Sequence, residues 1–194
     1  MHLARRAWCR TYQTVFRIAL PILPYTEPRI LEHAEDVHAV LQKRSIQKVL
    51  IVTDPGIARL GLTAPLERAL TAQGIGVTVY AETRANPTVS NVEEAAALYR
   101  ENDCRAIIGF GGGSAMDCAK GVGARIAQPN KPINKMRGLL RVHRLLPLLI
   151  AVPTTAGTGS EVTLAAVITD NETHYKYPIN DFVLIPRFAV HDPE

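Results

Sequence analysis

The run Ala106-Ile107-Ile108-Gly109-Phe110-Gly111-Gly112-Gly113-Ser114-Ala115-Met116-Asp117 constrains this chain more than any other stretch. A short apolar segment ends in a glycine cluster, and beyond Ser114 the residues Ala115, Cys118, Ala119, Val122 and Ile126 fall on one helical face. The spacing predicts strand, tight turn and helix in immediate succession. Glycines let the backbone turn through φ > 0 and bring its N–H groups close to a ligand. The first helical turn adds unpaired donors and the positive end of the dipole. Such a turn suits a phosphate. A purely structural reading stands beside it, because Ser114 and Asp117 fit a Ser-x-x-Asp capping box that needs no ligand. The run is not a Gly-x-Gly-x-x-Gly fingerprint, since position 114 is serine.

What surrounds that turn looks like an ordinary soluble domain. The 194 residues are enough for one well-packed unit and short for two, with 47% hydrophobic and 21% charged residues. A pI near 9.1 raises the question of nucleic acid. Residues 1–26, however, hold Arg5, Arg6, Arg10 and Arg17 and no acid, which accounts for the whole net charge of +4. The excess is local, so no basic groove and no nucleic-acid partner are expected. The acid-free start invites a presequence or a twin-arginine signal at Arg5-Arg6. Against both, Arg17 interrupts the apolar part and no small-residue cleavage site follows. Residues 1–24 are instead read as an amphipathic extension that packs on the domain 25–194 or on a second subunit, making a homo-oligomer. No apolar run approaches the roughly 18 residues of a membrane span. Cys9, Cys104 and Cys118 are odd in number and lack metal spacing, which suits the cytoplasm.

Along the chain, Pro28 to Lys43 shows a helical pattern, with Ile30, Leu31, Ala34, Val37, His38 and Leu41 on one side and Pro28 at its first position. His33 and His38, five apart, do not pair as metal ligands. Lys48 to Asp54 is a continuous apolar run typical of a strand covered on both faces. A helix follows from Ile57 to Gln73, restarted near Pro65, then a strand from Val77 to Tyr80. Asn86-Pro87 makes a turn, Ser90-x-x-Glu93 opens a helix, and Arg105 to Ile108 is the strand before the glycine turn. Residues Asn130 to Arg144 form a basic, irregular connection, and Leu148 to Val152 is a further strand. Strands also follow at Val162 to Thr169 and in the extended region Phe182 to Val190, with Lys176 and Pro178 between them. This alternation predicts an α/β fold with a doubly wound, mainly parallel sheet of Rossmann-like type.

In such sheets ligands collect beyond the carboxyl ends of the strands. Asp54 stands at one of those ends, where its carboxylate can accept from a ribose hydroxyl and repel a 2′-phosphate, favouring NAD over NADP. Asp54-Pro55-Gly56 is equally strong local turn chemistry. Pro153-Thr154-Thr155-Ala156-Gly157-Thr158-Gly159-Ser160-Glu161 packs hydroxyls and glycines behind a buried strand, again suited to phosphate or ribose oxygens. A capping box from Thr158 to Glu161 is the alternative.

Together the glycine turn Gly111-Gly112-Gly113-Ser114-x-x-Asp117, the loop from Pro153 to Thr163 and Asn86-Pro87-Thr88 resemble the iron-containing (group III) alcohol dehydrogenases. The likeness is to their amino-terminal nucleotide-binding domain, of the dehydroquinate synthase type, and runs from about Tyr25 to the last residue. The resemblance implies that Asp54 meets the adenosine ribose and that Asn86 lies near the cofactor. Gly112, Gly113 and Ser114 would hold the pyrophosphate, and Thr154, Thr155 and Thr158 would line the adenine and nicotinamide side. Lys176 would contact the nucleotide, and Asp117 would face the same cleft. It implies hydride transfer between NAD(P) and a primary alcohol or aldehyde, with iron or another divalent metal polarising the oxygen. The family's metal cage, one aspartate and three histidines, belongs mostly to a helical second domain that this chain is expected to lack. No residue here is therefore assigned to the metal, His191 and Asp192 included, His143 and His174 are read as solvated, and the isolated chain is expected to be inactive. A non-catalytic nucleotide-binding or assembly module is the alternative of a different class. A glycerol or polyol phosphate dehydrogenase of the same fold suits the threonine loop less well.

Overall fold

The computed structural model describes residues 10, 11, 13, 14 and 25–192. Of the expected N-terminal helix only Arg10, Thr11, Gln13 and Thr14 are described, all four helical and exposed; the rest lies outside the described residues. From residue 25 onward the chain runs β1 (Arg29–Leu31), α1 (Val37–Gln42), β2 (Lys48–Val52), α2 (Pro55–Arg59), α3 (Ala64–Ala72), β3 (Gly76–Tyr80), α4 (Val89–Glu101), β4 (Ala106–Gly111) and α5 (Gly113–Ala127). Then follow β5 (Gly138–Leu139), β6 (Leu148–Pro153), β7 (Ala165–Thr169), β8 (Lys176–Asn180) and β9 (Phe188–Val190).

Six strands form one sheet in the order β1-β9-β6-β4-β2-β3, with every pairing parallel. From β2 the chain crosses through α3 to β3 on one side, then returns through α4 to β4 on the other. The crevice at the carboxyl ends of β2 and β4 is thus the point where strand order reverses, where open α/β sheets take their ligands. Apolar side chains alternate between the two faces of the central strands. Leu50, Val52 and Ile107 pack with Val92 and Ala96 of α4 and Cys118, Ala119 and Val122 of α5. Val49, Ile51, Ile108 and Phe110 pack with Val37 and Leu41 of α1 and Leu66 and Leu70 of α3. A second sheet, β5-β8-β7, lays Ala166, Ile168, Tyr177 and Ile179 against the α4–α5 side of the core.

Several expectations need correction. Residues 28–43 are not one helix, because Arg29–Leu31 is a strand paired with Phe188–Val190, and a 3-10 turn at Ala34–Asp36 leads into α1. A distant backbone partner overrides the local periodicity there. Helix α4 opens at Thr88 rather than Ser90. The Thr88 Oγ1 accepts from Asn91 N at 3.2 Å and the Asn91 Oδ1 accepts from Thr88 N at 3.1 Å. Ser90 N donates to Asn171 Oδ1 instead, and Glu93 is bound by Arg125 Nε at 2.6 Å. The strand expected to end at Ile108 continues to Gly111, all six residues being buried. No helix follows Thr158, so Thr158 and Glu161 form no capping box, and the strand expected from Val162 begins at Ala165. Lys176 and Pro178 lie within β8; β5 reaches only Ile179 and Asn180, so Pro178 is asked for no hydrogen bond on that side. In the expected final strand, only Phe188–Val190 is extended in the sheet, after a 3-10 turn at Phe182–Leu184.

Candidate functional site

The glycine turn closes directly over the strand-order reversal. Gly111 ends β4 with φ of +137°, a backbone conformation that side chains rarely allow, and Gly112 is the residue before α5. No side chain caps α5, so its first amides and the positive end of its dipole are left for a ligand. Ser114 therefore caps nothing, and its Oγ accepts from Asn86 N at 3.3 Å. Asp117 does not cap either, its Oδ2 accepting from Val167 N of β7 at 3.0 Å. The capping-box reading of this pair is overturned because the helix, with Gly112 at its N-cap, starts two residues earlier than the box requires.

Beside the turn lies the threonine loop. Gly111 pairs with Pro153 in the sheet, and Thr154 N donates to Gly111 O at 3.0 Å. A Cβ on Gly112 would sit 3.4 Å from Thr155 Oγ1, and one on Gly113 would sit 3.2 Å from Ser160 Oγ and 3.5 Å from Thr158 Cγ2. A Cβ on Gly111 would come 3.3 Å from Asp54 Oδ2. Asp54 Oδ1 accepts from Gly56 N at 2.8 Å and Ile57 N at 3.1 Å, capping α2. The turn chemistry read at Asp54 is therefore real, and the other carboxylate oxygen is directed toward the glycines. On the far side, Lys176 Nζ donates to Asn86 Oδ1 at 2.8 Å. Asn86 itself has φ of +62°.

A continuous line thus runs from Asp54 through Gly111, Gly112 and Gly113 to Ser114, Asn86 and Lys176, with Thr154, Thr155 and Thr158 along its flank. The structure brings every sequence-selected residue to this one edge, Asp117 standing one turn further along α5. A recess of about 880 Å³ opens beside it, lined among others by Leu62, Leu66, Phe110, Val152, Thr155 and His191. Hydroxyls, exposed amides and an apolar wall are what a dinucleotide requires of a cleft. His33, His143 and His174 are exposed and take no part.

The match that decides the family covers residues 30–193, which fit the model of the iron-containing alcohol dehydrogenases. The chain belongs to the iron-containing alcohol dehydrogenase family. It is 38% identical over 154 residues to alcohol dehydrogenase 4 of Schizosaccharomyces pombe, a stretch that covers 79% of this chain and 36% of that protein. The alcohol dehydrogenase from Oenococcus oeni superimposes with a TM-score of 0.80 at 34% identity, over 87% of this chain and 46% of that one. Sulfoacetaldehyde reductase from Bifidobacterium kashiwanohense, solved in complex with NAD+, superimposes at 0.74 with 30% identity, again over 87% of this chain and 46% of the other. The chain spans about two fifths of the length of the curated relatives it matches.

The family implies a dinucleotide and a metal. The dinucleotide fits these residues, because glycines stand where any Cβ would fill the cradle between α5 and the threonine loop. The metal does not fit the described residues, among which no three His, Cys, Asp or Glu side chains come together. Among the described residues no helix is long and apolar enough to cross a membrane.

The sequence reading missed Lys120. It is 1% exposed on α5, and its Nζ donates to Thr163 O at 2.7 Å, Thr163 Oγ1 at 3.1 Å and Ala165 O at 2.9 Å. Burial pulls its pKa down to about 8 against the opposing pull of the Asp117 and Glu161 carboxylates. Burial also raises Asp117, opposed by the Val167 amide and Lys120. This pair ties the end of the threonine loop to the helix that carries the glycine turn. In the sequence nothing separates it from a surface lysine, since the same helix also carries Asp117 and Arg125.

Proposed function

We propose that residues 25–194 form the NAD-binding half of a metal-dependent alcohol dehydrogenase that passes hydride between a primary alcohol or aldehyde and the nicotinamide ring. One observation carries this reading: an uncapped helix N-terminus, at the strand-order reversal, is walled by glycines and threonine hydroxyls. In this assignment Gly112, Gly113 and Ser114 hold the pyrophosphate on the amides of α5. Asp54 receives the adenosine ribose and disfavours NADP through its charge. Thr154, Thr155 and Thr158 line the adenine and nicotinamide side. Asn86, held by Lys176, closes the opposite wall, and Asp117 keeps the small sheet against it.

NAD, when bound, supplies the hydride acceptor; the residues here bind and orient it. Iron or another divalent metal is the family's Lewis acid, and the described residues offer no ligand set for it. We therefore assign the metal and most alcohol contacts to a second segment, and the polypeptide alone is expected to bind cofactor in the cytoplasm without oxidising alcohol.

Calorimetric titration of the purified chain with NADH, beside NADPH at one salt concentration, tests the reading. Saturable binding that favours NADH is expected. An absence of binding by a chain whose circular dichroism melt is cooperative would remove the nucleotide assignment, and metal-dependent alcohol oxidation by the pure chain would remove the division of labour.

A further inference from the structure

Lys176 and Tyr177 are consecutive in β8, so their side chains leave opposite faces of the small sheet. Lys176 serves the cleft through Asn86, whereas Tyr177 turns away from it. Tyr177 lines a separate recess of about 420 Å³, whose walls include Lys135, Arg137, Arg141, Asp170 and Tyr175. None of these residues belongs to the line from Asp54 to Lys176.

Two independent features mark this recess. Three cations converge on it, and among the described residues no hydrogen bond or ion pair holds the head groups of Lys135, Arg137 or Arg141. At its base, Tyr177 is 3% exposed and its hydroxyl is buried without a hydrogen-bond partner, although a buried hydroxyl normally has one. Burial pushes this phenol up to about 12, so it keeps its proton and can donate. The single acid, Asp170, is already engaged: its Oδ1 accepts from Glu172 N and Thr173 N, both at 3.0 Å, and these bonds keep its carboxyl ionised. Three cations and one unused donor against one occupied carboxylate favour a multiply charged anion over a neutral or cationic ligand.

We propose that this recess binds the phosphoryl group of a small molecule, held by Arg137, Arg141 and Lys135 with the Tyr177 hydroxyl beneath. The volume exceeds what a bare phosphate fills, and the exposed Tyr175 ring offers a surface for the remainder of the ligand.

The test titrates the full chain, labelled with nitrogen-15, with inorganic phosphate and separately with glycerol 3-phosphate, at ionic strength held constant with chloride. Saturable amide shifts are expected in residues 135–141 and 170–177. Binding should weaken at least tenfold in Arg137→Gln/Arg141→Gln; both side chains are exposed, so the melting temperature should be unchanged. Tyr177→Phe should weaken it less and in the same direction. Tighter binding of the ester identifies an organic phosphate as the ligand, and equal binding identifies the free anion. Shifts that do not saturate, shifts confined to residues 112–114, or equal affinity in the double variant would overturn the proposal. NADH binding unaltered by the double variant separates this site from the cofactor cleft.

Discussion

Lys120 Nζ donates to the carbonyl oxygen of Thr163 at 2.7 Å, so the helix that begins with the glycine turn also grips the end of the threonine loop. Two further acceptors, Thr163 Oγ1 and Ala165 O, use up the three donors of an ammonium. The threonine loop is thus held at its start by the Thr154–Gly111 backbone bond and at its end by the Lys120 side chain.

That grip has a pH signature. Lys120 sits at about 8 in the folded chain against 10.5 for an unburied lysine. Between those values the folded state binds fewer protons at this site than the unfolded state, so the site's contribution to stability rises with pH. Relative to Lys120→Met, the native chain should gain up to about 1.4 kcal/mol per pH unit in this window, read from urea melts at fixed ionic strength. A difference that stays flat with pH would mean that burial does not shift this lysine.

Asp54 carries two duties that substitution can separate. Asp54→Asn keeps an oxygen for the amides of Gly56 and Ile57 but removes the charge, whereas Asp54→Ala removes both. Both variants should raise affinity for NADPH relative to NADH, and only the alanine variant should lose about 1 kcal/mol of stability through the lost cap. Calorimetry and thermal melts measure the two effects, and an unchanged cofactor ratio in both would take Asp54 away from the ribose.

Gly121 lies where α5 crosses α4. A Cβ there would meet Val92 Cγ2 at 2.8 Å and Ile168 Cδ1 at 3.3 Å, and both neighbours are fully buried. Alanine is about 1 kcal/mol better than glycine in a helix, but overpacking a stiff β-branched neighbour costs roughly 1–3 kcal/mol. Gly121→Ala should therefore lower the denaturant midpoint; a rise would show that Val92 moves aside without strain.

The thiols of Cys104 and Cys118 should be inert in the native chain. Both are buried, and burial pushes Cys118 up to about 12 and Cys104 in the same direction. Mass-resolved alkylation at pH 8 should label neither until denaturant is added. Rapid labelling of Cys118 under native conditions would place it in an opened state of α5.

The central strands were legible because β2, β4 and β6 are covered on both faces, which leaves an uninterrupted apolar run in the sequence. The short edge strand β1 was not, because its three residues are held by hydrogen bonds to Arg187–Val190 rather than by anything local. Residues of the candidate cleft could be read where the backbone itself demands them, as at Gly112, Gly113 and the threonine loop. Ser114, Asp117 and Thr158 resembled caps, and only tertiary partners show that they are not. Lys120 is indistinguishable in sequence from a surface lysine, since what marks it is the closure of Thr163 and Ala165 over its ammonium.

The pairing of β1 with β9 ties the two ends of the domain together, Arg29 N donating to Arg187 O and His191 N to Leu31 O. A chain emerging from the ribosome can assemble β2, β3 and β4 while synthesis continues, but the β1 side of the sheet waits until residue 190 is free. What delays closure of this side of the sheet is thus the sequence separation of β1 and β9, which must be spanned before the two can pair.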